Sequence, residues 1–172
     1  MYIMCPEFGG SSVTTVDIDN TGTTGFASSG SIVFQVTHPG KDTHMITRYG
    51  ANTASRVGIV VGTGTNAVAI TDYKLQTQIA NGDGGSEFIY FGCWVYNHTV
   101  GATTASFDVE RLFYNDSGGS ITVNEIGVYT MTKVTTSPNY ANFCVLRDKL
   151  SSGVAVADGE WLKVKYTVTV SV

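Results

Sequence analysis

Charge is scarce in this chain. Among 172 residues there are 10 Lys and Arg against 14 Asp and Glu, so only 14% of the sequence is charged, well below the quarter or so usual in globular domains. With a formal net charge of -4, the chain has no reserve of clustered cations for neutralising phosphates, which argues against direct nucleic-acid binding. Cysteine is equally sparse. Cys5, Cys93 and Cys144 are odd in number and widely spaced, a pattern that supports neither a disulfide framework nor a metal knuckle and suits a reducing compartment. His38, His44 and His98 share no short spacing with a Cys or with each other, so no metal site is expected. No run approaches the ~18 apolar residues of a membrane span, and the opening MYIMCPEFGG has neither a basic nor a long apolar region. Membrane insertion and secretion are therefore not expected, and the sequons Asn97-His98-Thr99 and Asn115-Asp116-Ser117 read as idle. The three prolines, Pro6, Pro39 and Pro138, all fall in expected loops.

What the chain does have is hydrophobic and aromatic residues, at 42% and 11%. With so few charges, its exterior must be Thr, Ser, Asn and Gly, or be covered by partners. The last segment is the most regular. Leu162, Val164, Tyr166, Val168, Val170 and Val172 alternate with Trp161, Lys163, Lys165, Thr167, Thr169 and Ser171, the period of two of a half-buried antiparallel strand, with Asp158-Gly159 as the preceding turn. Asn115-Asp116-Ser117-Gly118-Gly119 reads as a hairpin loop between a strand at 105–114 and strand-like runs at 120–123 and 126–129. Apolar parity changes between Val123 and Ile126, which predicts a β-bulge or bend near Asn124-Glu125. Residues 87–97, EFIYFGCWVYN, are apolar at both parities around Gly92 and predict a strand covered on both faces. Further strands are expected at 13–18, 31–37, 44–49 and 56–62. The one helical expectation is a short piece over 71–79, capped by Thr71 or Asp72 with Tyr73, Leu75 and Ile79 on its apolar face. The fold class is thus all-β, an antiparallel β-sandwich of jelly-roll or Ig-like type. It is read as a single domain over residues 1–172, with 1–12 as an extended arm.

Two motifs invite a ligand. Gly62-Thr63-Gly64-Thr65-Asn66-Ala67 fits the G-x-G-x-x-A dinucleotide fingerprint, with Asp83 about twenty residues on. That chemistry needs a helix beginning at the glycines, whereas Val68-Ala69-Ile70-Thr71 continues in residues that favour strands. Asp17-Ile18-Asp19-Asn20-Thr21-Gly22 resembles half of a calcium loop, but Ser28 stands where a bidentate Glu is needed. For it and for Asn81-Gly82-Asp83-Gly84-Gly85, turn formation is the simpler role. No nucleophile motif and no carboxylate pairing is legible, so no enzyme activity, cofactor or metal is expected. The aromatics Phe88, Tyr90, Phe91, Trp94 and Tyr96, with Trp161, are the expected interface residues, one parity facing the core and the other a partner or a glycan.

Residues 115–129, NDSGGSITVNEIGVY, followed by VLRDKLSSGVAVADGEWLKVKYTVTV at 145–170 and by the stretch 62–79, resemble structural proteins of tailed bacteriophages and prophages. The resemblance covers about half of the chain and brings no catalytic residues with it. It implies a virion component, such as a capsid decoration protein or a tail or neck subunit. Such a protein would be assembled in the host cytoplasm as a homo-oligomer in contact with other virion proteins. The alternative is a carbohydrate-binding receptor-recognition module of a phage tail.

Overall fold

The computed structural model describes residues 14–20, 22–24, 44–45, 54–133 and 140–171. The expected strand at 31–37, most of that at 44–49, the arm at 1–12, and His38, Cys5 and the three prolines lie outside the described residues. The described chain is β throughout apart from one 3-10 turn at Ala54–Arg56. A short hairpin pairs β1 (Thr14–Val16) with β2 (Gly22–Thr24). One sheet has the order β10-β7-β6-β5, built from β5 (Ala80–Asn81), β6 (Glu87–Val100), β7 (Thr104–Tyr114) and β10 (Trp161–Ser171). The other pairs β3 (His44–Met45), β4 (Gly58–Gly62) and β9 (Tyr140–Val156) with the central β8 (Ile121–Lys133). The two sheets pack against each other as an all-β sandwich.

The alternation of the last segment becomes β10. Its register with β7 runs unbroken from Trp161↔Tyr114 to Ser171↔Thr104; Val164 is buried while Lys163, Lys165 and Thr167 are exposed. In β6 the apolar residues at both parities have a different cause from the expected two-sided cover. Tyr90 pairs with Phe113 and Cys93 with Arg111, so β6 carries one extra residue at Phe91-Gly92. This bulge switches parity. It leaves Phe88, Tyr90 and Cys93 buried and turns Phe91 and Trp94 out to the exposed face.

The irregularity expected near Asn124-Glu125 is present between Val123 and Glu125, but its extra residues are not in β8. β8 is continuous, and the irregularity lies opposite it: Val123 pairs with Val154 but Glu125 with Lys149, so the extra residues belong to β9. The inward position that follows Ile121 and Val123 is filled by Glu125, which is 0% exposed.

Residues 71–79 form no helix. They cross β8 in a series of bends and bridge β4 through Gly62↔Gln78. The amides that a helix would bond internally are taken by side chains of β8. The Leu75 N–H donates to Tyr129 Oη at 2.7 Å, and those of Gln76 and Thr77 donate to the Glu125 carboxylate at 3.0 and 2.7 Å. This segment and the facing β10-β7-β6-β5 sheet together cover β4, whose Ile59, Val60 and Val61 are fully buried.

The loop at 115–119 is not the expected hairpin: β7 pairs with β6 and β10 while β8 lies in the other sheet, so this loop and the turn at Asp158-Gly159 both cross between the sheets. Asn115, itself 0% exposed, locks the two crossings together. Its Nδ2 donates to Gly119 O and Val156 O, both at 2.8 Å, and its Oδ1 accepts from the Ser117 N–H and hydroxyl. Gly159, at φ 78°, completes the facing turn and donates its N–H to Asn115 O at 2.8 Å. Asn115→Ala removes the amide donor to the Val156 carbonyl and the acceptor of the Ser117 N–H, and is expected to lower stability by about 1–3 kcal/mol in urea titration. A change below about 0.5 kcal/mol, the level of an ordinary surface substitution, would contradict this role.

Candidate functional site

The outer face of the β10-β7-β6 sheet gathers the expected interface residues that the core does not absorb. Phe88 and Tyr90 are core, at 0% and 7% exposure, whereas Phe91, Trp94 and Trp161 are 36%, 50% and 55% exposed. The Phe91 bulge and the Trp161↔Tyr114 pair place three rings side by side. The Trp161 centroid lies 4.9 Å from that of Phe91 and 4.9 Å from that of Tyr114. The interplanar angles of 43° and 41° are tilted aromatic contacts. Trp94 sits on the same face, opposite Glu110.

Beyond the rings the face turns polar and locally neutral. Lys163 Nζ lies 3.7 Å from Glu110 Oε2, and Lys165 Nζ lies 3.4 Å from Asp108 Oδ2. The half-buried Tyr96 donates its hydroxyl to Glu110 Oε2 at 2.5 Å, and this bond to a carboxylate pushes the phenol up to about 12. Asp108 accepts from the Thr167 hydroxyl at 2.7 Å and from Asn97 Nδ2 at 2.9 Å. These bonds, with Lys165 beside them, hold its carboxyl below the usual range. In each pair the lysine is exposed, which screens the attraction, so the pairs add little stability. Their effect is to leave the face without excess charge of either sign.

Arg111 sets the geometry of the patch from beneath. It is 1% exposed, with its guanidinium carbon 4.9 Å from the Tyr90 ring centroid and 5.8 Å from that of Phe113. Its Nε donates to Phe91 O at 2.7 Å, within the bulge, and its Nη1 to Val57 O and Ile59 O on the facing sheet, at 2.9 and 2.8 Å. Carbonyl dipoles and ring faces thus carry the buried charge. Nothing in the sequence beyond an arginine in the inward row Phe107, Val109, Phe113 signals it.

Two clefts flank the segment 71–79. One, of about 350 Å³, is lined by Asn66, Asp72, Tyr73, Lys74, Gln76 and Arg147. The other, of about 380 Å³, includes Asp19, Arg56, Lys74, Gln78 and Tyr129. Their charges are largely committed to the fold. Arg147 donates to Glu125 at 2.9 Å and to the Asp72 carboxylate, and Arg56 pairs with Asp19. Neither cleft presents a nucleophile beside a base.

The ligand-like motifs resolve into architecture. Gly62 and Gly64 lie against Glu125: a Cβ at Gly62 would stand 2.6 Å from Glu125 Oε1 and 2.6 Å from Thr77 O. Glycine is required there by close approach of a carboxylate and a backbone, and no helix follows. Asp17 accepts the Asp19 N–H at 3.0 Å, and Asn20 takes φ 63° in the same turn. Gly84 donates its N–H to Glu87 at 3.0 Å in the 81–85 loop. Among the described residues no group of three or more His, Cys, Asp and Glu is placed to hold a metal. His98 stacks on Phe107 at 6.1 Å. Burial pushes the Cys93 thiol up, and pushes that of Cys144 up to about 12, so both are poor nucleophiles.

No protein-family model, curated protein or solved structure matches the chain.

Proposed function

We propose that this chain is a structural subunit of a phage-type particle and acts by protein–protein contact, without enzymatic chemistry or cofactor. Its outer aromatic face is the surface on which a neighbouring subunit of the particle docks. The observation that carries the reading is the side-by-side exposure of Phe91 and Trp161 on the outer β10-β7-β6 face, continued by Trp94. Large aromatics held in place by strand pairing have little entropy left to lose on association, and such residues dominate interface energetics. The neutralised Lys–carboxylate pairs form the polar border expected around such a centre. The phage-type pattern in residues 62–79, 115–129 and 145–170 supports the particle setting.

Incorporation of Trp161→Ala into particles, scored against the wild-type chain, tests the reading. Occupancy is expected to fall roughly tenfold or more, as for an interface hot spot, while the isolated protein melts close to wild type because this side chain is already half in water. Full occupancy would contradict it. A second reading, a glycan platform, is favoured by the same exposed tryptophan rings beside hydrogen-bonding Tyr96 and Glu110. It predicts that a glycan array binds the wild-type chain and loses that binding in Trp161→Ala and Trp94→Ala; a blank array removes this reading.

A further inference from the structure

Along its outer edge, β10 is paired with nothing among the described residues; its sole strand partner there is β7. The strand is long, and neither a proline nor a register break interrupts it. Such an edge is a template for another strand unless something blunts it. Its polarity follows from one bond at its start. The Asn115 N–H donates to Glu160 O at 3.0 Å, and continuing that phase along the antiparallel register directs the backbone groups of Leu162, Val164, Tyr166, Val168 and Val170 toward β7. The amides and carbonyls of Trp161, Lys163, Lys165, Thr167, Thr169 and Ser171 then point outward.

We infer that this edge pairs with the same edge of a second copy of the chain, antiparallel about a twofold axis at Tyr166, joining two sheets into one. The sequence of the strand is self-complementary in that register. Lys163 meets Thr169 of the partner subunit, Lys165 meets Thr167 of the partner subunit, and no lysine faces a lysine. Sliding the copies by one rung in one direction sets Lys165 opposite Lys165 of the partner subunit, a like-charge pairing that disfavours that slipped register. On the other side of the ribbon the apolar row continues across the junction. Val170, 58% exposed, comes beside Leu162 of the partner subunit, and Val168 beside Val164 of the partner subunit. The pairing is isologous, and it consumes an edge left without a strand partner among the described residues. This inference rests on the assembly reading for its purpose, but it uses a different surface from the aromatic face.

Light scattering across a dilution series, with amide hydrogen exchange on the same samples, tests it. The expected result is a monomer–dimer transition in which the amides of Lys163, Lys165, Thr167 and Thr169 become protected in step with the dimer mass. Thr169→Pro, which removes an outward N–H that β7 does not use, should stay monomeric with an unchanged fold. A variant carrying Lys163→Cys and Thr169→Cys should form disulfide-linked dimers, because opposed residues of a hydrogen-bonded pair lie about 5.5 Å apart, within disulfide reach. Free exchange of those amides in a dimeric sample, or dimerisation of Thr169→Pro like the wild type, overturns the edge. So does a chain that stays monomeric at every concentration. Phe91→Ala separates the two readings: it should keep the dimer and lose particle docking.

Discussion

Glu125→Ala is expected to destabilise the fold by about 3–5 kcal/mol, the magnitude for breaking a buried ion pair from one side, and to lower the melting temperature by roughly 10 °C or more for a chain of this size. The carboxylate is 0% exposed. It accepts the N–H of Gly64 at 3.2 Å, of Gln76 at 3.0 Å and of Thr77 at 2.7 Å, and it pairs with Arg147 at 2.9 Å. Removal leaves the three amides without this acceptor and takes one of two carboxylate partners from the Arg147 guanidinium, whose side chain is 4% exposed. Glu125→Gln keeps the shape but turns two donors toward donors, so it too should lose stability. The loss has a location. Segment 63–79 should detach first, so trypsin should cut at Lys74 in Glu125→Ala under conditions where wild type resists. Because Arg147 shares the defect, a double variant with Arg147→Gln should be less destabilised than the two single effects added together. Wild-type melting and no new cleavage in Glu125→Ala would show that the carboxylate is not the anchor.

Arg111→Lys should be nearly as severe, at about 2–4 kcal/mol, although the charge is kept. A lysine ammonium offers a single point of donors where the guanidinium reaches Phe91 O, Val57 O and Ile59 O from one planar fork. It also forfeits the flat contact with Tyr90 and Phe113. The effect reaches the surface because the Phe91 carbonyl is part of the bulge that seats Phe91 against Trp161. Chemical denaturation should report the loss, and tryptophan emission of the folded variant should shift to the red as the ring cluster loosens. A variant with wild-type stability and emission would remove Arg111 from the account.

How much of this was legible in the residues depended on whether the cause was local. The alternation of residues 161–171, the loop at 115–119 and the turn at Asp158-Gly159 were readable because strand period and turn chemistry are properties of neighbours in sequence. The helix expected over 71–79 rested on the sparse spacing of Tyr73, Leu75 and Ile79. It is absent because Glu125 and Tyr129, about fifty residues on, capture the amides that a helix would use, and no local pattern encodes such a capture. The same glutamate hid in plain view: a polar residue in the inward row of β8 reads as a change of parity, and a bulge was the natural explanation. In β6 the reverse held. Gly92 was the visible sign of a bulge, yet apolar residues at both parities suggested two covered faces, so the exposed aromatics emerged only once the register placed the extra residue. Of the interface residues expected from sequence, Phe91, Trp94 and Trp161 reach that surface, Tyr96 is half-buried at its polar border, and Phe88 and Tyr90 belong to the core.

Docking as proposed covers the face carrying Phe91, Trp94 and Trp161 in the assembled particle. Hydroxyl-radical footprinting of the chain inside native particles, compared with the isolated protein, tests it most directly. The account predicts strong oxidation of Trp161 and Trp94 in the isolated chain and protection of both in the particle, with Trp161, between Phe91 and Tyr114, shielded most. Equal oxidation of these residues in the two states, or absence of the chain from any particle, would contradict it.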